Sequence, residues 1–383
     1  MKGFTYEEYQ RRIDRIVNFI NKKDLDGFFI FNPYNLFYLG LYYYPGKRPI
    51  SILITKKGDT IAFTPKMEYN EACKIKHIDK VYAYDENFNE EADLFGYFDK
   101  KFKIKNLNMK KIAADELGIN SFSKMNELFK KVEISNGIMK IREVKSFEEI
   151  EMLKKAAYYS DYIVEKGREM LKPGITELGL LNRMITKTVD KMIDDMGDVI
   201  YVPGGPAGAL VPSGIRTAMP HALPSGKTVE AGDTMILSCG ANVWGYRIES
   251  ERTFFLGEPN EEKKEAFEVM RKAQLLAIEL MKPGNVCENI EKEVVNYINK
   301  AGYGDYIKHR VGHGKGLEEH EEPYIAAGDK TVLKPGMIFS SEPGIYIEGL
   351  SGFRHSDIVL ITENGNETLT KYPKDLKNMI ITI

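Results

Sequence analysis

Cysteine is scarce: the 383-residue chain carries three, Cys73, Cys239 and Cys287, and no CxxC pair. That excludes a disulfide framework and a zinc knuckle, and it fits a reducing compartment. An excess of one charge is missing as well, with 54 Lys+Arg against 56 Asp+Glu and a formal net charge of -2. This balance excludes a polybasic nucleic-acid binder and an acidic tail protein. No run reaches the ~18 apolar residues of a membrane span. The start, Met1-Lys2-Gly3-Phe4 followed by Glu7, Glu8, Arg11 and Arg12, lacks the apolar core of a secretion signal. What is present is ordinary for a globular protein: 43% hydrophobic and 29% charged residues. The expectation is a soluble cytoplasmic protein of about two to three domains.

The first 140 residues alternate short apolar runs with helical patterns and read as a small α/β domain. Phe28-Phe29-Ile30-Phe31, ending at Asn32-Pro33, reads as a buried strand. Ile50 to Thr55 and Ile61-Ala62-Phe63, around Lys57-Gly58-Asp59, read as a hairpin. Val81 to Tyr84 and Ile112 to Ala114 are further strands, and Glu71 to Ile75 and Lys124 to Phe129 look helical. Residues 141–383 form the second expected domain. Its first helix opens on Ser146 and Glu149, an S-x-x-E capping box, and stops at Lys172-Pro173-Gly174.

The second domain repeats itself. Met170-Leu171-Lys172-Pro173-Gly174 recurs as Leu280-Met281-Lys282-Pro283-Gly284, each copy following one helical stretch and preceding another. Later each half has a Gly turn and an apolar run, Gly232-Asp233-Thr234-Met235-Ile236-Leu237 and Gly336-Met337-Ile338-Phe339. Two related α+β halves are implied, with a cleft between them as the natural site.

Two tempting motifs fail. Gly226-Lys227-Thr228 would close a phosphate loop only with glycine where His221 stands, and Gly204-Gly205-Pro206-Ala207-Gly208 has no GxGxxG spacing; both read as loops. Five of the six histidines lie in the second domain. His221 sits between Pro220 and Pro224, which fix the backbone around it, so its ring is aimed for proton transfer; the plainer reading is a loop-packing histidine. His313 and His320 belong to Gly312-His313-Gly314-Lys315-Gly316-Leu317-Glu318-Glu319-His320, whose glycines would let a ligand approach. His309 and His355 are weaker candidates, and His77 reads as a surface residue. Glu249 and Glu251 would share one face of a strand, and Glu342 lies in Ser341-Glu342-Pro343-Gly344.

Taken in order, PHALP, GY(x)4ERTF, GHGxGxxxHE, PGM(x)4EPG and GFRHSD resemble the pita-bread hydrolases, the family of creatinase, prolidase, aminopeptidase P and methionine aminopeptidase. The resemblance covers almost the whole chain. It implies an α+β fold: a pita-bread catalytic domain with a pseudo-twofold repeat, preceded by a smaller creatinase-like α/β domain. The metallopeptidase members hold two metals with two Asp, one His and two Glu. These positions fall on Ser238, Glu249, His313, Glu342 and Ser356, so two of the five are serines, poor ligands for a hard divalent ion. Both losses strip the same metal position.

The resemblance therefore points to the metal-free branch of creatinase and ectoine hydrolase, and to no cofactor. The expected activity is hydrolysis of a C–N bond in a small amidine, guanidino or amide compound. His221 would act as base and then acid, with His313 and His320 polarising the carbonyl or positioning water. Glu251 and Glu342 would hold a cationic group, and Arg354 and either Lys47 or Arg48 the rest of the substrate. Creatinase's matching segment reaches into a neighbour's site, which implies a homodimer with the small domain over its partner's cleft. Two rivals stand beside this reading. One is a prolidase-like Xaa-Pro peptidase with a single metal on Glu249, His313 and Glu342. The other is a non-catalytic pita-bread protein that binds a macromolecule. No nucleic-acid or membrane partner is expected.

Overall fold

The computed structural model describes residues 3–41, 49–85, 108–202 and 204–383. The chain divides into two compact units, residues 1–142 and 143–383.

In the first unit a six-stranded sheet runs in the order Lys80–Tyr84, Thr60–Pro65, Ser51–Thr55, Gly27–Ile30, Lys111–Ala114, Lys131–Ile134. Ser51–Thr55 and Thr60–Pro65 form the antiparallel hairpin. Its turn is closed by the Thr55 and Asp59 side chains and by Gly58 at φ 97°. Phe29, Leu53, Phe63 and Ile112 bury one face of this sheet. His77, read as a surface residue, is buried: its Nε2 lies 2.6 Å from the Leu39 carbonyl and its ring stacks on Tyr9. Its role is to fill that gap.

The second unit opens on the helix Phe147–Met170, capped as the sequence implies: Ser146 Oγ accepts from Glu149 N–H and the Glu149 carboxylate from Ser146 N–H. The repeat is real in three dimensions. Gly174 and Gly284 both have φ 90°. Gly174 N–H donates to Val229 O and Gly284 N–H to Leu333 O, both at 2.9 Å. The helices Glu177–Met196 and Cys287–Lys300 follow. Gly232 and Gly336, at φ 84° and 86°, then turn the chain into the strands Thr234–Val243 and Ile338–Ser341.

Those strands belong to two sheets. One runs Ile380–Ile381, Tyr246–Leu256, Thr234–Val243, Ala207–Leu210; the other runs Glu321–Ile325, Gly312–Gly314, Ile338–Ser341, Asp357–Thr362, Gly365–Thr368. A backbone bridge between Glu251 and Ser356 stitches them together. One continuous core, including Leu237, Phe254, Phe267, Phe339 and Val359, lies between sheets and helices. The Gly204–Gly208 stretch departs from its loop reading: Ala207–Leu210 is a strand paired antiparallel with Thr234–Val243. Among the described residues no helix is long and apolar enough to cross a membrane.

Candidate active site

A cavity of about 460 Å³ opens in the second unit, with His221, Glu249, His309, Arg310, His320 and Glu342 on its wall. Strand geometry places Glu249 and Glu251 on one face of Tyr246–Leu256, opposite Gly240 and Ser238 of the neighbouring strand. His313 sits in the short strand Gly312–Gly314, with a register shift just after it. Its flanking glycines answer to protein rather than to ligand. A Cβ on Gly312 would lie 2.1 Å from Ser340 O, and one on Gly314 2.7 Å from Glu322 O. Glu342 follows Ile338–Ser341 and is fixed by its N–H to Val311 O at 2.8 Å.

The central feature is what faces His313. The side chain is fully buried, and its Nδ1 lies 3.0 Å from the Gly314 carbonyl, which can only accept. Nδ1 therefore carries a proton, and Nε2 is turned toward the carboxylates on the cavity wall. There it meets Glu342 Oε1 at 3.1 Å and Glu249 Oε1 at 3.5 Å. Two carboxylates meet the ring here, and either a proton on Nε2 or a metal cation among these atoms offsets their repulsion. Glu249, His313 and Glu342 offer ligand atoms all within 4.8 Å of one another. A histidine whose other nitrogen donates to a backbone carbonyl is the usual arrangement for a metal ligand. The residues present therefore fit one divalent cation. Burial pushes the Glu342 carboxyl up, but His313 and the Arg354 guanidinium outweigh it and hold the group well below the usual carboxylate range.

A second ion does not fit. Ser238 and Ser356 stand where further carboxylates would be required. Ser238 Oγ donates to Glu251, and the Glu251 carboxylate is clamped by Arg354 through Nε at 2.5 Å and Nη2 at 2.9 Å. Glu251 and Arg354, both expected to hold substrate, thus neutralise each other. Arg354 Nη1 also donates to Tyr346 Oη at 3.0 Å, and Tyr346 lies 2.8 Å from His309 Nε2. Because His309 Nδ1 faces the Arg310 carbonyl at 2.8 Å, its Nε2 accepts and the ring is neutral, in line with the lowering of its pKa by burial.

His320 lies on the cavity wall with its ring 4.2 Å from that of His313. Partial burial, then His313 and Lys315, push its pKa down to about 4, so it is neutral at pH 7. His221 is exposed on the same wall. His355 lies away from the cavity, fully buried between Thr253 N–H and the Lys374 carbonyl. Lys47 and Arg48 lie outside the described residues.

Two charged residues escaped the sequence reading. Lys315 is fully buried, with Nζ 2.7 Å from Glu249 Oε2 and 2.9 Å from the Glu319 carbonyl. Burial pulls this ammonium down, but Glu249, Glu319 and Glu342 more than restore it. Arg310 lines the cavity with its guanidinium over the Tyr324 ring at 4.3 Å, and its buried Nε has no hydrogen-bond partner among the described residues. The signals were a lysine inside a Gly-rich phrase between two strands, and an arginine two residues before a glycine–histidine pair.

Two halves related by a repeat, enclosing a histidine–carboxylate cluster, define a hydrolase of the pita-bread fold. The chain belongs to metallopeptidase family M24, whose model matches residues 151–363, and residues 12–144 match the creatinase/prolidase N-terminal domain. It is 32% identical to an Xaa-Pro dipeptidase of Pyrococcus furiosus over 96% of this chain and 99% of that one. Among solved structures it resembles an Xaa-Pro dipeptidase from Bacillus anthracis, with 29% identity, TM-score 0.83 and coverage of 97% of this chain and 100% of that one. It also resembles the prolidase from Pyrococcus horikoshii, with 28% identity, TM-score 0.81 and coverage of 96% and 99%.

These findings overturn the metal-free amidine or guanidino hydrolase and the absence of a cofactor. The relatives are Xaa-Pro dipeptidases and prolidases, and Glu249, His313 and Glu342 converge as ligands. The phrases that favoured the metal-free branch also serve packing, although Glu251 and Arg354 line the cavity. In Glu251-Arg252-Thr253, Arg252 bonds Asp357 at 2.7 Å and Thr253 Oγ1 donates to Arg354 O at 2.9 Å. In Gly352-Phe353-Arg354-His355-Ser356-Asp357, the charged residues are the other ends of those same contacts.

Proposed function

We propose that the protein is a dipeptidase of the Xaa-Pro type that works with one divalent cation held by Glu249, His313 and Glu342. The observation that carries this reading is the convergence of His313 Nε2 with the Glu249 and Glu342 carboxylates, which lie on the wall of a cavity. When bound, the cation supplies Lewis-acid polarisation of a peptide carbonyl and acidifies water. Glu342, held ionised, keeps a fixed negative charge beside His313. Neutral His320 offers a ring N–H to the oxygen on which charge develops. His221, on the exposed wall, passes a proton to the departing imide nitrogen. Arg310 meets the free carboxylate of the dipeptide through charge-assisted hydrogen bonds. We retain from the sequence a cytoplasmic location, and a homodimer in which Lys47 or Arg48 of the small domain covers the partner's cleft.

The test is a panel of Gly-Pro, Ala-Pro and Leu-Pro with Mn²⁺ or Co²⁺, each repeated with a chelator. Chelator-sensitive cleavage is expected. No cleavage of the panel by folded protein with either ion would overturn the reading, as would cleavage indifferent to the chelator.

A further inference from the structure

Lys315 stands one residue beyond the Gly314 that anchors His313, with no exposed surface. An ammonium leaves water at a cost of several kcal/mol unless carboxylates compensate it, and here the compensating carboxylate is Glu249. Glu249 is thereby divided. Its Oε1 faces His313 at 3.5 Å, while its Oε2 accepts from Lys315 at 2.7 Å. Ser356 Oγ adds a donor to Oε1 at 3.3 Å. Beyond Glu249, the positions that would bring two more carboxylates are Ser238 and Ser356, and the nearby Glu251 is committed to Arg354. The charges agree with the geometry. Three carboxylates, Glu249, Glu251 and Glu342, face two fixed cations, Lys315 and Arg354. One divalent ion already takes this group past neutrality, and a second would enter against net positive charge.

We propose that Lys315 is a built-in cation of this cleft: its ammonium takes the place of a second divalent ion, so the site holds one. The inference rests on the metallopeptidase reading for the first ion, but it concerns how many ions bind and not which substrate is cut.

Chelator-stripped full-length protein is titrated with Mn²⁺ alone, and bound metal is counted by elemental analysis and by electron paramagnetic resonance, which distinguishes an isolated Mn²⁺ from a coupled pair. Wild type should bind one ion per chain with an uncoupled signal. Ser238→Asp with Ser356→Glu, keeping Lys315, should bind a second ion at least tenfold more weakly than the same protein carrying Lys315→Met as well. The triple variant should show the coupled pair. Two tightly bound ions in wild type would overturn the proposal, as would equal second-ion affinity in the double and triple variants. If Lys315→Met fails to fold, Lys315→Gln in the same background, which removes the charge but keeps a polar group for the Glu319 carbonyl, makes the same comparison. A wild type that binds no Mn²⁺ overturns the ligand set and this inference together. One bound ion with no Xaa-Pro cleavage overturns only the proposed function.

Discussion

At the scale of single residues, the site is decided by where protons can sit. His313 spends Nδ1–H on the Gly314 carbonyl, which leaves Nε2 as the one ring nitrogen that can take a metal. His313→Ala should therefore weaken Mn²⁺ binding by at least ~100-fold, since losing only the hydrogen-bond partner of a ligand costs ~10–100-fold, and should abolish metal-dependent turnover. Equilibrium dialysis checks the first effect and a peptidase assay the second; unchanged Mn²⁺ binding would remove His313 from the ligand set. Arg310 makes a different kind of prediction. Its guanidinium is braced on Tyr324 and lines the cavity, with an Nε that has no hydrogen-bond partner among the described residues, so it can receive an anion. A hydrogen bond to a charged group contributes ~1.5–3 kcal/mol, and Arg310→Ala should raise KM for a free dipeptide ~10–100-fold with a smaller change in kcat. The corresponding dipeptide amide, lacking the carboxylate, should be nearly insensitive to the substitution. Equal losses on acid and amide would show that Arg310 only shapes the cavity.

Among the structural elements, the turns were the most legible part of the sequence. Ser146 with Glu149, Lys57-Gly58-Asp59 and the two Lys-Pro-Gly stops each combine residues whose backbone preferences admit few alternatives, and each forms the turn or cap expected. The strand Ala207–Leu210 was hidden for the converse reason. Gly and Ala have little strand preference of their own, and pairing with Thr234–Val243 overrides it. The repeat yields its own test. Gly174 and Gly284 share φ 90°, and an added Cβ would meet nothing within 4 Å at either, so only backbone strain opposes a side chain there. Gly174→Ala and Gly284→Ala should each cost roughly 1–2 kcal/mol, by similar amounts, while leaving Mn²⁺ binding intact. Denaturant titration of both variants checks this; a markedly unequal pair would mean that the two turns are not equivalent.

For the molecule as a whole, family and fold were legible because ordered motifs report a shared architecture. The branch was not, because the same phrases serve packing and chemistry alike. The phrases around Arg252, Arg354, His355 and Asp357 are of this kind: Arg252 and Asp357 join two sheets, while Arg354 lines the cavity. Asp357 is buried and bonded by Arg252, Lys374, Gln274 and Thr370. Burial pushes its carboxyl up, but Arg252 and Lys374 prevail and hold it well below the usual range. His355, beside it, is pushed down to about 3, by burial first and then by Arg252. A histidine in this position is folded only as the neutral ring. Between its unfolded value of ~6.5 and about 3, the unfolded chain binds the proton that the folded chain refuses. Stability from this group is therefore complete above ~6.5 and is lost as the pH falls below that. Asp357 adds its own loss only below ~4, where an unfolded carboxylate begins to protonate. His309 and His320, also pushed down by burial first, lose stability in the same direction as the pH falls. Trp244 is the only tryptophan and lies in the second unit, so its fluorescence follows the unfolding of that unit. In chelator, which removes the metal's own linkage, the midpoint of that transition should be level from pH 8 to ~6.5 and then fall by several degrees per pH unit towards pH 4. His355→Gln keeps a donor and an acceptor without a titrating ring. It should start lower at pH 8 and fall less steeply than wild type between pH 6.5 and pH 4. A wild-type midpoint that stays level to pH 4, or a variant with the same slope, would show that His355 is not the group that opens this joint to acid.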